Sequence, residues 1–248
     1  MWIRTLWLVL VAGCIDIDTI NNTGGVDSDD LTALAKPATG EPDPACSTCD
    51  AFSASGRAYG MAIAMRDVVI VPPTPDTSAP GAARLVQPPA NLPLGVTSPN
   101  TNTAFFVSDV HTSDASSASD AAAAMTDQIS VSAPNLLLYA AVLRAVATSS
   151  TSHAGASASA TGSMIQYLNI NGQVYQNLDT PRTIAIRNHG LSLGEVRVLE
   201  TSYDTSTPDA ASCQVNALHI ILFGRDGNSD LVIAHAESGA ITTDQLPP

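Results

Sequence analysis

The chain has 248 residues, a formal net charge of −13 and a pI near 4.4, with 45% hydrophobic but only 4% aromatic and 13% charged residues. The apolar mass is therefore mostly Ala, Val, Leu and Ile, enough for one sizeable core. So acidic a chain, with no basic stripe to offset it, repels phosphates and excludes nucleic acid as a partner; the charge serves solubility or attracts cations.

The chain opens as an export signal. Met1 to Arg4 supplies one positive charge, Leu6 to Ala12 is apolar but too short to span a bilayer, and small Ala12 and Gly13 precede Cys14. The run Val11-Ala12-Gly13-Cys14 resembles the lipobox of bacterial lipoproteins. That resemblance implies that residues 1–13 are a signal peptide and that Cys14 becomes the mature N-terminus. Its thiol then carries diacylglycerol and acyl chains of the palmitate kind, which make the membrane its partner. Burying acyl chains gains about 0.8 kcal/mol per CH₂, and more than one chain anchors stably. Ile15 rather than Asp follows the cysteine, which favours the outer membrane or cell surface over inner-membrane retention.

Residues 14–50 read as an acidic, disordered tether. From Ile15 to Asp50 there are eight acids and one Lys, the chain's only lysine, Lys36, with Gly, Pro and Asn scattered through. Such a segment buries little and repels itself. From residue 51 to 248 the character is that of a single β-rich exported domain. "GRAYGMAIAM" and "DVVIVPP" come in short β-branched or alternating bursts, ended by Pro72 and Pro73. A Pro-rich loop is expected over 72–101 and a strand at "TAFFVSDV". The Ala- and Ser-rich stretch 112–126 reads as either a helix or a small-residue loop.

In "APNLLLYAAVLRAVATSS" Leu136, Tyr139, Leu143 and Val146 stand at helical spacing, so pattern alone predicts a helix. The alternating Ala/Ser of "HAGASASATG" then suits a strand. "SMIQYLNINGQVYQNL" is two β-rich arms around Asn171-Gly172, both of which tolerate positive φ, and predicts a hairpin. Tyr167 and Tyr175 flank that turn and are expected on one side of it. Further strands are expected at "TIAIR", "GEVRVLETSY", "QVNALHIILFG" and "DLVIAHA". Seven or more short strands separated by turns predict an all-β fold, an antiparallel sandwich or barrel-like domain.

Four stretches taken in order, "GRAYGMAIAMRDVVIVPPTP", "ISVSAPNLLLYAAVLRAVATSS", "LNINGQVY" and "VNALHIILFG" with "LVIAHAESG", resemble the choice-of-anchor P family of exported bacterial proteins across most of residues 56–240. The resemblance implies a β-rich extracellular domain held at the cell surface, and it moves 135–150 from helix to strand. It brings no established activity. The chain departs from the pattern at "RNHGLSLGEVRVLE", where a more Gly- and Pro-rich turn is expected.

Motifs for chemistry are thin. Cys46 and Cys49 have C-x-x-C spacing, but no second pair completes a zinc site and no βαβ frame surrounds them. With Cys14 lipidated, Cys213 is the remaining thiol. The alternatives are a disulfide from Cys213 to Cys46 or Cys49, a local Cys46–Cys49 bridge, or metal. "DGNSDLVIAHAE" places Asp226, Asn228, Asp230 and Glu237 at EF-hand positions, but Leu231 stands where that loop needs Gly, so it reads as a hairpin turn. A hairpin closed around Gly227 puts His219 opposite His235 on one face, as a hydrogen-bonded structural pair or, with a third ligand, a metal site. No nucleophile elbow, H-E-x-x-H or phosphate loop occurs. No catalytic, cofactor-binding or metal residues are assigned, and the chain does not read as an enzyme. The expected function is that of a lipid-anchored envelope protein with a structural or adhesive role. The alternatives are a surface module for carbohydrate or another extracellular polymer or protein partner, and a metal-dependent hydrolase.

Overall fold

The computed structural model describes residues 51–243 apart from 67, 78–80, 87–90, 98–103 and 115. The signal peptide, Cys14, the tether, Cys46 and Cys49 lie outside the described residues. Two antiparallel sheets pack face to face as a sandwich. One has six strands side by side in the order β11 (Arg182–Asn188), β12 (Leu191–Thr207), β13 (Ala210–Leu222), β14 (Ser229–Thr243), β1 (Ala51–Met65) and β2 (Val68–Thr77). In the other, β10 (Gln173–Leu178), β9 (Met164–Ile170), β7 (Leu136–Ser152), β6 (Ser117–Ala133), β5 (Ala104–Ser113) and β3 (Gly81–Val86) follow one another. Two short strands share the edges of the longest ones: β4 (Val96–Thr97) pairs β6, and β8 (Gly155–Ser159) pairs β7.

The all-β expectation holds, and the architecture is the sandwich. Several local expectations do not hold. The run 112–126 is neither helix nor loop, since most of it lies in β6, paired along its whole length with β7 and over its first half with β5. Alanine has low intrinsic strand preference, but a central strand is decided by its neighbours. The Pro-rich run is not one loop either. β2 passes through Pro72, Pro73 and Pro75, which is tolerated because β2 is an edge strand bonded only to β1.

The predicted helix at 136–146 is strand β7. Its misleading period has a specific cause. Leu136, Leu138 and Ala140 face the core, then the phase slips so that Leu143, Ala145 and Ala147 do. The slip falls at Val142, whose φ is 51°. It belongs to a row that crosses the sheet, because the ladders also skip Asp127 in β6, Gln166 in β9 and Asn177 in β10. The six-stranded sheet has a matching row at Leu199, Ala217, Ala234 and Gly60, with Leu199 and Ala234 again at positive φ. One residue is skipped on each strand at the row, so the pairing register is kept while the set of residues facing inward moves by one.

Each row divides its sheet. On the side of the β1–β2 and β6–β7 turns the interior is filled by large residues such as Met61, Ile63, Ile129, Leu138, Leu168, Leu218 and Ile233. On the side of Ala51 and Ser152, Phe105, Val107, Leu143, Ile165 and Val215 lie nearest the rows, and beyond them the interior is built mostly from Ala58, Ala118, Ala122, Ala145 and Ala236, with Asp109, Asp120, Ser149, Thr151 and Ser238 buried among them.

Candidate functional site

Two polar constellations result from this division, one on the outer face of the six-stranded sheet and one between the sheets. The outer one starts from a row of registered neighbours, Glu200–Asn216–His235–Tyr59–Asp76, one from each of β12, β13, β14, β1 and β2. The His235 ring stacks on Tyr59 at 4.3 Å and 16°. Its Nδ1 donates to Asn216 Oδ1 at 2.6 Å, and Asn216 Nδ2 donates to Glu200 Oε2 at 2.8 Å. Arg57 donates from Nε and Nη2 to the two oxygens of Asp76 at 3.0 and 2.9 Å, and its guanidinium lies over Tyr59 at 5.5 Å. Arg197 bridges Glu195 and Glu200 at 2.7 and 2.6 Å. Burial opposes the Glu200 charge, but the donors Asn216, Arg197 and His219 outweigh it and hold the carboxyl below its usual value. Burial lowers His235 to about 4 and raises Tyr59 to about 12, so both are neutral near pH 7.

His219 and His235 share this face but do not stand opposite each other. The connection between β13 and β14 runs from Phe223 to Asn228, with Leu222 paired to Ser229, so His219 faces Val232 and His235 faces Asn216. The hairpin is centred between Arg225 and Asp226 rather than on Gly227. His219 bonds Glu200 Oε2 through Nδ1 at 2.7 Å and faces Asp230 Oδ1 through Nε2 at 3.3 Å. Each imidazole is thus held by its own partners. Asp226 and Asn228 lie in the turn, as expected, while Asp230 and Glu237 are carried along β14.

The tyrosine expectation also fails. Asn171 and Gly172 form the two-residue turn at φ 52° and 88°, but Gln173 pairs Ile170, which sets Tyr167 opposite Gln176. Tyr175, one residue away, lies on the other face and packs on the core, while Tyr167 meets Tyr139 edge-on at 5.7 Å. Cys213 is buried on β13 and has no disulfide partner among the described residues; burial raises its thiol to about 11.

The constellation between the sheets was not anticipated from sequence. On β5, Phe105, Val107, Asp109 and His111 alternate toward the interior, and Asp120 on β6 is the registered neighbour of His111. Donor atoms of Asp109, His111 and Asp120 lie within 4.8 Å of one another. The carboxylates are 0% and 2% exposed, and apart from each other and the Gly239 backbone their oxygens have no hydrogen-bond partner among the described residues. Burial, and for Asp120 the adjacent Asp109, raises both carboxyls above the normal range. An isolated buried carboxylate costs several kcal/mol unless it is paired, hydrogen-bonded, protonated or metal-bound. Chemically the trio is a donor set of two carboxylates and one imidazole. The signal for it was present, an acid and a histidine in phase with Phe105 and Val107. It needed β6 to be read as a strand before Asp120 could be placed beside them.

Compared with known proteins, no family model matches the chain, and no curated protein or solved structure matches it.

Proposed function

We propose that this chain is a lipid-anchored protein of the bacterial cell envelope, on the outer membrane or cell surface, whose β-sandwich has a structural or adhesive role rather than a catalytic one. Its sequence resemblance to the choice-of-anchor P family and the lipobox ending at Cys14 support the address. The observation that carries the role is the polarity of the domain. β1 begins at Ala51, where the amino-terminal chain joins, at the end of the sandwich where the interior is small and polar. Seven of the nine large apolar side chains most exposed to solvent, Val68, Val69, Ile70, Leu137, Val174, Leu191 and Phe223, lie toward the opposite end. A domain tethered at Ala51 presents that apolar tip away from its anchor. Exposed apolar clusters of this kind mark contact surfaces.

The anchor strand suits such a role mechanically. β1 is held on both edges, by β14 from Ala51↔Thr243 to Met65↔Ser229 and by β2. Ladder bonds run across the strands, so a pull between the amino-terminal chain and the tip loads many of them together along β1.

Fractionation and protease treatment of intact cells test this reading. The native chain is expected in the membrane fraction, labelled by a palmitate analogue and digested from outside, with Cys14→Ala unlabelled and released. A native chain that takes no label and fractionates as soluble overturns the anchor. Protection until the outer membrane is broken overturns the adhesive role.

A further inference from the structure

The Asp109–His111–Asp120 trio is out of keeping with its surroundings. Asp109 and His111 leave the same face of β5, and Asp120 stands across from His111 on β6, so all three converge on one point between the sheets. All four carboxylate oxygens and His111 Nδ1 are buried, and beyond each other's carboxyl and the Gly239 backbone the two acids meet no hydrogen-bond partner among the described residues. The nearest guanidinium along β1, that of Arg57, lies on the outer face and is taken by Asp76. Among the described residues no Arg or Lys pairs with the two acids, and His111 is the basic group beside them.

The opposite sheet makes room at this point. Gly56 of β1 faces the trio, and a Cβ there would stand 2.4 Å from Asp120 Oδ2 and 2.5 Å from Asp109 Oδ1. Its φ is unexceptional, so no left-handed turn explains the glycine; the space above the two carboxylates does. Flanking Ala118 and Ala122 add no bulk. The two carboxylates thus sit against the bare backbone of β1, walled by alanine and glycine, with the half-buried His111 beside them.

We propose that Asp109, Asp120 and His111 bind a divalent metal ion, one oxygen from each carboxylate and one ring nitrogen serving as ligands and water completing the shell. Two carboxylates and an imidazole are borderline-to-hard donors, suited to zinc or manganese, whereas calcium sites are built from oxygen alone. Ligands of one such ion lie about 3–4 Å apart, so closing from 4.8 Å requires side-chain adjustment of about 1 Å. The ion supplies the charge that the interior lacks and links β5 to β6. The inference is independent of the lipid anchor and of any role for the apolar tip.

The test uses the full chain purified in detergent, stripped with a chelator and returned to metal-free buffer. Zn²⁺, Mn²⁺ and Ca²⁺ are added singly, with metal content and thermal midpoint as readouts. Expected is one Zn²⁺ or Mn²⁺ per chain and, at about a hundredfold excess over Kd, a midpoint rise of about 5–10 °C. Asp120→Asn and His111→Ala are expected to lose both effects. Asp120→Asn replaces a buried carboxyl by a neutral group of the same shape, so its midpoint in chelator should equal or exceed that of the stripped native chain, which separates lost binding from misfolding. The proposal is overturned if no ion binds, or if only Ca²⁺ does. It is also overturned if binding survives both substitutions and vanishes in the Cys46→Ser/Cys49→Ser double variant.

Discussion

The two halves of the sandwich interior solve the same packing problem with different materials. Beyond the rows, toward the tip, facing strands interdigitate Leu, Ile, Val and Met, each worth about 1.5–3 kcal/mol when fully buried. On the Ala51 side Phe105, Val107, Leu143, Ile165 and Val215 lie next to the rows, and farther out the inward positions are mostly Ala, Gly, Ser, Thr and Asp. There the sheets gain less from burial and approach closely enough that Gly56 and Gly60 would each clash with the opposite sheet if given a Cβ. Stability is thus concentrated in one half, and the other is free to hold polar groups that a stability-optimised core would exclude. Ser149 and Ser238 bond across the gap at 2.8 Å, and Thr151 and Thr242 bond across it as well, so sheet-to-sheet contact here is partly hydrogen-bonded. Asp109, Asp120 and Thr126 are members of this polar layer without such a cross-sheet bond among the described residues.

The contrast is sharpest in paired substitutions. Leu218→Ala in the large-residue half should cost about 2–5 kcal/mol, because the cavity it leaves is walled by neighbours that cannot collapse. Ala122→Val in the small-residue half should cost about 1–3 kcal/mol for the opposite reason, overpacking against a closely approaching sheet. Urea denaturation of both checks the assignment; a harmless Ala122→Val would mean that the anchor-side half has slack.

A second test concerns the boundary itself, where His235 is the first residue past the row in β14. It is neutral in the fold, lowered to about 4 by burial, against about 6.5 when unfolded. Between these values the unfolded chain binds the extra proton, so the contribution is complete above pH 6.5 and lost as pH falls toward 4. The groups facing His235 are Tyr59 and Arg57 on β1, Asp76 on β2, Asn216 on β13 and Glu237 on its own strand, whose carboxylate is 3.7 Å from Nε2. The loss should be on the order of 3 kcal/mol. His235→Gln should show a correspondingly flatter stability profile between pH 6.5 and 4, and an unchanged slope would refute the assignment.

The smallest expected effect is at the other row. Val142 is β-branched at φ 51°, a conformation that costs about 1–2 kcal/mol for an L-residue and is far easier for Asn. Val142→Asn should leave stability unchanged or raise it by about 1 kcal/mol. A large loss would show that the valine side chain, rather than the backbone bend, is what the position requires.

Much of the strand content was legible because it follows local rules. The β-branched runs of β13 and β14 and the Asn171-Gly172 turn carry their own signals, and each is where those signals put it. Two of the readings that failed trace to the rows. Val142 breaks the two-residue alternation of β7, and the surviving pattern of Leu136 and Leu143 imitates a helical period. The row at Ala217 and Ala234 likewise decides which face His235 takes relative to His219, whereas the turn register alone sets Tyr175 apart from Tyr167. Such a row is a property of aligned strands, with no marker in any one of them: Ala217, Gln166 and Asp127 are ordinary residues at skipped positions.

The outer polar row and the inner trio were hidden for the same reason. Glu200, Asn216, His235, Tyr59 and Asp76 are scattered over the chain from 59 to 235 and become neighbours only through register. Composition and local pattern determined that this chain is acidic, that it is β-rich and where most of its strands run, because those properties depend on nearest neighbours along the chain. Tertiary structure alone decided which residues face inward, which acids are buried together and which end carries the exposed apolar residues. Those depend on strand pairing, where a shift of one residue moves a side chain to the opposite face.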